Sequence, residues 1–215
     1  MTDFTAERRH MVDGQIRTTD VTDPKVISAM LEVPREQFMP PAMTALAYLD
    51  LDVSVGASRR LLRPMVLAKL LQAAEIEATD RVLDAGCATG YGAAVLAHIG
   101  GQVVALEQDA GLAKAAATAL ASWANVSVVS SPLVDGWPQG GPYDVIVLEG
   151  ATEVVPHTLC GQLKDGGRLA CVLGSGPASK AMLYRRSGAE LGGLPVFDAA
   201  AALLPGFAKT PVFAF

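Results

Sequence analysis

Cysteine is scarce. Cys87, Cys160 and Cys171 are odd in number, widely spaced and form no CxxC pair, so neither a disulfide framework nor a zinc site is expected to organise the chain. His10, His98 and His157 also stand apart from any Cys, Asp or Glu at metal-ligand spacing, and no metal is expected. A basic excess is missing as well. The 17 Lys and Arg against 22 Asp and Glu leave a net charge of −5, which argues against a nucleic-acid-binding module. No apolar run approaches the ~18–20 residues of a membrane span, and residues 1–10 lack the apolar core of a signal peptide. Charged residues are 18% of the chain and apolar residues 51%, the opposite of a disordered composition. A chain of 215 residues buries roughly 70% of its unfolded surface without staples. The expectation is a soluble protein of a reducing compartment, the cytoplasm, with no membrane partner and an oligomeric state that composition leaves open.

What is present changes character near Thr79 and Asp80. Residues 1–79 read as helical pieces punctuated by prolines. Asp23-Pro24 opens one helix in the favoured N-cap and N1 arrangement, with Val26, Ile27, Met30 and Leu31 on one face. Pro34, Pro40 and Pro41 break the following stretch. Residues 49–62, with Gly56, Ser58, Arg59 and Arg60, read as a loop, and Pro64 opens an apolar helix to Ala74.

Residues 80–215 alternate strands and helices. Strands are expected at 81–84, 102–107, 126–130, 143–148 and 168–173, with helices at 91–98, 110–123 and 156–163. That alternation predicts an α/β fold, a doubly wound and mostly parallel sheet. Residues 180–186 and 211–215 are expected as strands of a reversed edge. The N-terminal helical segment is expected to pack on this core as one compact unit.

The most informative stretch is 82–90, where a first strand turns into a first helix. Such a turn lies at the carboxyl end of its strand, where open α/β sheets bind ligands. Gly86 and Gly90 let a ligand approach the backbone, and the helix start offers free N–H groups. A dinucleotide fingerprint needs glycine at 88, which is alanine. Gly86-x-x-x-Gly90 with Asp84 two residues before it suits S-adenosylmethionine better, because a cationic sulfonium and ammonium tolerate a nearby acid. Glu107 ends the second strand 21 residues after Gly86, where an acid accepts the ribose hydroxyls of an adenosyl group. A tight turn that binds no nucleotide is the competing reading.

Residues 11–17, 33–40, 90–97, 136–138, 142–144 and 162–169, in that order, resemble the protein-L-isoaspartate O-methyltransferase family over nearly the whole chain. The resemblance implies a Rossmann-like class I methyltransferase fold with an N-terminal helical extension, with S-adenosylmethionine as cofactor. It implies cofactor contacts at Asp84, Ala85, Gly86, Gly90, Glu107, Gln108, Pro132, Leu133 and Glu149. The implied reaction moves the sulfonium methyl to the free carboxylate of a damaged protein or peptide. A carboxylate is already ionised at pH 7, so no general base is needed and alignment supplies most of the catalysis.

Two positions depart from the family. Its substrate-loop serine, which hydrogen-bonds the acceptor, is replaced by Leu62, and an acid after the third strand is replaced by Pro132. Ser58, Arg59 and Arg60 are therefore the candidates for acceptor binding, since guanidinium forks match carboxylates; solvated surface charge and turn chemistry are the plainer readings. Glu149, after the fourth strand, is either an acceptor-side acid or a supporting one. Cys87 reads as a packed thiol, and Trp137 as an adenine-pocket wall or a turn-packing aromatic. Leu62 and Pro132 also support an alternative, a non-catalytic binding or regulatory protein on the same fold, and Glu149 with the arginine cluster supports another, a methyltransferase with a different acceptor.

Overall fold

The computed structural model describes residues 3–210. The helices are α1 (Phe4–Met11), α2 (Pro24–Glu32), α3 (Pro64–Ala73), α4 (Tyr91–Ile99), α5 (Ala110–Ala119) and α6 (His157–Cys160). The strands are β1 (Val53–Gly56), β2 (Arg59–Leu61), β3 (Arg81–Ala85), β4 (Gln102–Glu107), β5 (Val126–Ser130), β6 (Tyr143–Thr152), β7 (Leu163–Leu173), β8 (Lys180–Ser187) and β9 (Glu190–Asp198). One sheet runs in the order β5-β4-β3-β6-β7-β8-β9, and β1 and β2 pair as a separate hairpin. Strands β5 through β7 in that order are parallel, while β8 and β9 are each antiparallel to their neighbour.

The chain steps outward from β3 to β4 and β5, then returns to β6 on the other side of β3. The crevice at the carboxyl ends of β3, β4 and β6 is thus the switch point where such sheets bind ligands. Strands covered on both faces read as unbroken apolar runs, and Val82–Ala85 are all fully buried. Local signals set the helix starts. Asp109 caps α5 by accepting from Leu112 N at 2.9 Å, Asp23 caps α2 through Lys25 N at 2.8 Å, and Pro24 and Pro64 occupy first helical positions.

Two apolar clusters flank the sheet. One joins Met11, Met30, Leu67 and Leu71 of the first 79 residues to Val95, Leu96 and Val145; the other gathers Leu83, Leu106, Leu133, Ile146 and Leu169 on the opposite face. Arg168 of β7 crosses to the N-terminal segment, donating to the Ala74 and Glu75 carbonyls and to Asp80. Among the described residues no helix is long and apolar enough to cross a membrane.

The structure departs from expectation in four places. Residues 53–61 form a hairpin inside the expected loop, its turn made by Gly56, Ala57 and Ser58, all at positive φ. The expected helix 156–163 is a single turn, because Leu163 already enters β7. Helix α5 stops at Ala119, where Leu120 leaves the helical region. The reversed edge is completed by β9, and the strand expected at 211–215 lies outside the described residues.

Candidate functional site

The crevice is built around the turn after β3. Gly86, Ala88 and Gly90 all take positive φ, at 85°, 51° and 97°, which folds the chain tightly before α4. Glycine adopts this region freely, whereas Ala88 carries strain there. The turn is pinned to β4: Gly86 N and Cys87 N both donate to Leu106 O, at 2.8 and 3.1 Å. Ala88 N donates to Glu107 Oε2 at 2.9 Å.

Glu107 is fully buried at the end of β4 and is the best-satisfied acid of the site. Its other oxygen accepts from Gln108 N at 2.8 Å and Asp109 N at 3.2 Å. Gln108 reaches across to the β5 side, where its Oε1 accepts from Leu133 N at 3.3 Å. Pro132 begins the short turn Leu133–Asp135 that carries this N–H. Glu107, Gln108, Pro132 and Leu133 are therefore brought together on one rim.

Asp84 and Glu149 contrast with Glu107. Asp84 is the fourth residue of β3 and pairs with Val147 of β6; Glu149, expected after that strand, lies within it because β6 runs on to Thr152, and both acids are buried. Neither Asp84 oxygen receives a protein N–H, and Glu149 Oε1 lacks a partner as well. The two carboxyls lie close enough to share a proton. Burial, with the charge of Glu107 adding to it, pushes the Asp84 carboxyl up to about 7, against the lowering effect of the Glu149 hydrogen bond and Arg59. Burial and the charge of Asp84 hold Glu149 well above the usual carboxylate range. Gly92 makes room for this arrangement, since a Cβ there would stand 1.6 Å from Glu149 Oε1.

Arg59 is not where the sequence reading put it. It was expected at the acceptor side or in solvent, yet it is 2% exposed and inserted into the crevice. Its Nη2 donates to Gly86 O at 2.6 Å, and its Nε pairs with Glu107 Oε2 at 3.3 Å. The hairpin explains this. β1 and β2 pair with Val53 opposite Leu61, and alternation puts Arg59 on the inward side with buried Leu61 while Arg60 faces out. Leu204, from a strap that hydrogen-bonds along the end of β6 through Ala151, closes over Gly86 and Gly150.

The remaining candidates divide clearly. Ser58 sits exposed at the hairpin tip with φ 58°, in a turn role and away from the buried acids. Arg60 is exposed, and Arg63 is tied to Asp52, which accepts from both its backbone N and its Nε. Arg60, Arg63, Asp52, Gly176 and Ala200–Ala202 line a cleft of about 280 Å³, whereas Leu62 is buried in the core. Cys87 is fully buried, and burial followed by the surrounding acids raises its thiol well above its ordinary value, so it is no nucleophile. Trp137 packs at the second cluster and its carbonyl accepts from Tyr143 Oη at 2.7 Å.

Sequence reasoning missed Arg35. It is completely buried, its Nη2 donates to Leu62 O at 2.8 Å, and its guanidinium lies 4.6 Å from the centre of the Tyr91 ring. Nothing in residues 33–40 distinguishes it from an exposed helix-start arginine. For Arg59 a signal existed: the alternation of Arg59, Arg60 and Leu61 marks it as inward once β2 is recognised as a strand.

A doubly wound sheet with a glycine turn after its first strand and a buried acid ending its second defines a Rossmann-like class I methyltransferase fold. The comparisons make this particular. Residues 6–192 match the family model described as protein-L-isoaspartate(D-aspartate) O-methyltransferase, and the chain belongs to that family. It is 39% identical over 184 residues to protein-L-isoaspartate O-methyltransferase 1 of Rhodopseudomonas palustris strain HaA2, covering 85% of this chain and 75% of that relative. It is 36% identical over 183 residues to the protein-L-isoaspartate O-methyltransferase of Pelotomaculum thermopropionicum, covering 84% and 80%. A solved protein-L-isoaspartate O-methyltransferase superposes with a TM-score of 0.80 at 26% identity, over 93% of this chain and 66% of that longer one. A second, from Plasmodium falciparum and in complex with S-adenosyl-L-homocysteine, shares the fold with a TM-score of 0.79 at 15% identity, over 95% and 99%.

Proposed function

We propose that this protein is an S-adenosylmethionine-dependent O-methyltransferase that methylates a free carboxylate, the isoaspartyl carboxylate of damaged proteins or peptides, in the cytoplasm. The observation that carries the reading is the set of buried acids at the switch point. Asp84 and Glu149 have oxygens with no N–H partner, and a buried acceptor in that state is expensive unless a ligand satisfies it. A cationic ligand with an ammonium and a sulfonium meets that need, so the residues present fit the cofactor.

Asp84, Ala85, Gly86 and Gly90 would hold its amino-acid end, with the Gly86 carbonyl as acceptor. Glu107 and Gln108 would hold the ribose, Pro132 and Leu133 would cover the adenine, and Glu149 would support Asp84 at the amino-acid end. When bound, the cofactor supplies a methyl group on a positively charged sulfur. The protein's share is alignment: residues 80–215 carry the cofactor, and residues 1–79 present the acceptor, whose carboxylate needs no base to remove a proton. The cleft between the hairpin and Ala200–Ala202, with Arg60 and Arg63 on its wall, suits an incoming carboxylate, and these arginines compensate for a leucine at 62 that neither donates nor accepts.

Incubation with methyl-labelled cofactor and an isoaspartyl peptide tests the reading. A base-labile, volatile methyl product is expected; none at high enzyme concentration refutes it. One observation favours a second reading, a family member that binds the cofactor weakly or not at all and acts as a non-catalytic binding or regulatory protein. Arg59 already holds Glu107 and the Gly86 carbonyl.

A further inference from the structure

Arg59 contacts two groups that a cofactor would use, and both lie at the floor of the crevice. Its guanidinium bridges the Gly86 carbonyl at 2.6 Å and the Glu107 carboxylate at 3.3 Å, spanning from the amino-acid end to the ribose end. It packs directly against the turn, since a Cβ at Gly86 would lie 2.6 Å from its Nη2. Glu107 does not depend on this arginine for satisfaction, because three backbone N–H groups already serve it.

The arginine enters on a light structure. Strands β1 and β2 have four and three residues, pair with one another outside the main sheet, and meet at a turn of three positive-φ residues. A two-stranded hairpin of this size is marginal on its own and is held to the body by Val53 and Leu61, which join the core, so a shift of the hairpin repacks those two side chains and leaves the hydrogen bonds of the main sheet in place.

We infer that Arg59 is the determinant of cofactor affinity in this protein, an internal occupant that competes with S-adenosylmethionine for Glu107 and the Gly86 carbonyl and must withdraw with the hairpin before the cofactor is held. This rests on the cofactor reading above and adds its regulation. The apparent affinity is reduced by the fraction of molecules whose hairpin is withdrawn. Removing the guanidinium therefore tightens binding, whereas an arginine with a merely structural role weakens it when lost.

Titration calorimetry with S-adenosylhomocysteine on the full chain decides the matter. Arg59→Gln is expected to bind at least about tenfold more tightly than the wild type, while Arg9→Gln, at an exposed position of α1 outside the crevice, is expected to match the wild type. Arg59→Lys covers the case in which the glutamine variant fails to fold: a lysine keeps a charge near Glu107 but lacks the fork that bridges both acceptors, so it too is expected to bind more tightly than the wild type. Wild-type binding with no gain in the folded Arg59 variants overturns this inference and leaves the cofactor reading intact. Failure of the wild type and both variants to bind at millimolar ligand overturns the cofactor reading, and this inference with it.

Discussion

The buried Asp84–Glu149 pair makes folding stability depend on pH in an unusual direction. Most paired carboxylates gain stability as pH rises, because their native pKa is lowered. Asp84 is raised instead, from its ordinary 3.8 to about 7, so between those values the folded protein keeps a proton that the unfolded chain has released. Stability falls with pH wherever the native state binds more protons. The contribution of Asp84 is whole below about pH 4 and is lost as pH rises through 7. At ~1.4 kcal/mol per unit, the loss amounts to at most about 4 kcal/mol.

Asp84→Asn removes the titration of Asp84, relieves Glu149 of its charge and supplies an amide N–H for Glu149, whose Oε1 otherwise lacks a partner. The wild-type stability minus that of the asparagine variant is therefore expected to shrink steadily between pH 4 and pH 7, with the variant the more stable protein at pH 8. Urea denaturation of both proteins at half-unit pH steps measures this difference and cancels the titration of distant groups. A difference independent of pH, or one that grows in favour of the wild type as pH rises, refutes the argument.

Three further outcomes are expected. Glu107→Gln, made in the Arg59→Gln background so that the internal competitor is absent, should weaken S-adenosylhomocysteine binding by about ten- to a hundredfold, the worth of one charge-assisted hydrogen bond; unchanged calorimetric affinity would remove the ribose role. Leu62→Ser restores a hydroxyl between Arg60 and Arg63 in sequence and should raise isoaspartyl methylation in the labelled-methyl assay by about tenfold, at a stability loss of about 2–4 kcal/mol for the buried leucine. No rise in a folded variant would mean that the acceptor is held by other groups. Arg168→Met breaks the bridge from β7 to the Ala74 and Glu75 carbonyls and to Asp80, and should lower stability by about 2 kcal/mol, or about 4–8 °C in Tm by calorimetry.

The central sheet was legible because strands buried on both faces carry apolar runs, and 103–106 of β4, 145–148 of β6 and 169–173 of β7 announce themselves that way. β9 carries Gly192, Gly193 and Pro195 with largely exposed side chains at the sheet's edge, and no periodic pattern survives such a composition. The hairpin was hidden for another reason. Its strands are shorter than the window over which alternation is visible, and Gly56-Ala57-Ser58 lacks the Asn-Gly type of turn signal. That gap decided the site. Gly86, Gly90 and Glu107 follow from the local order of strand, turn and helix, which the sequence writes in one stretch. The placement of Arg59 on Glu107, 48 residues away, depends on how the hairpin docks, and that is a property of tertiary packing. The orphaned oxygens of Asp84 and Glu149 are likewise visible only once β3 and β6 lie side by side.

Cofactor binding at this crevice fixes both where the ligand sits and what it displaces. A crystal structure of the protein with S-adenosylhomocysteine tests both at once. The expected result has the ribose hydroxyls on the Glu107 carboxylate, the amino group on the Gly86 carbonyl, and Arg59 withdrawn from both. Ligand bound elsewhere, or bound while Arg59 still bridges Glu107 and Gly86, would contradict it.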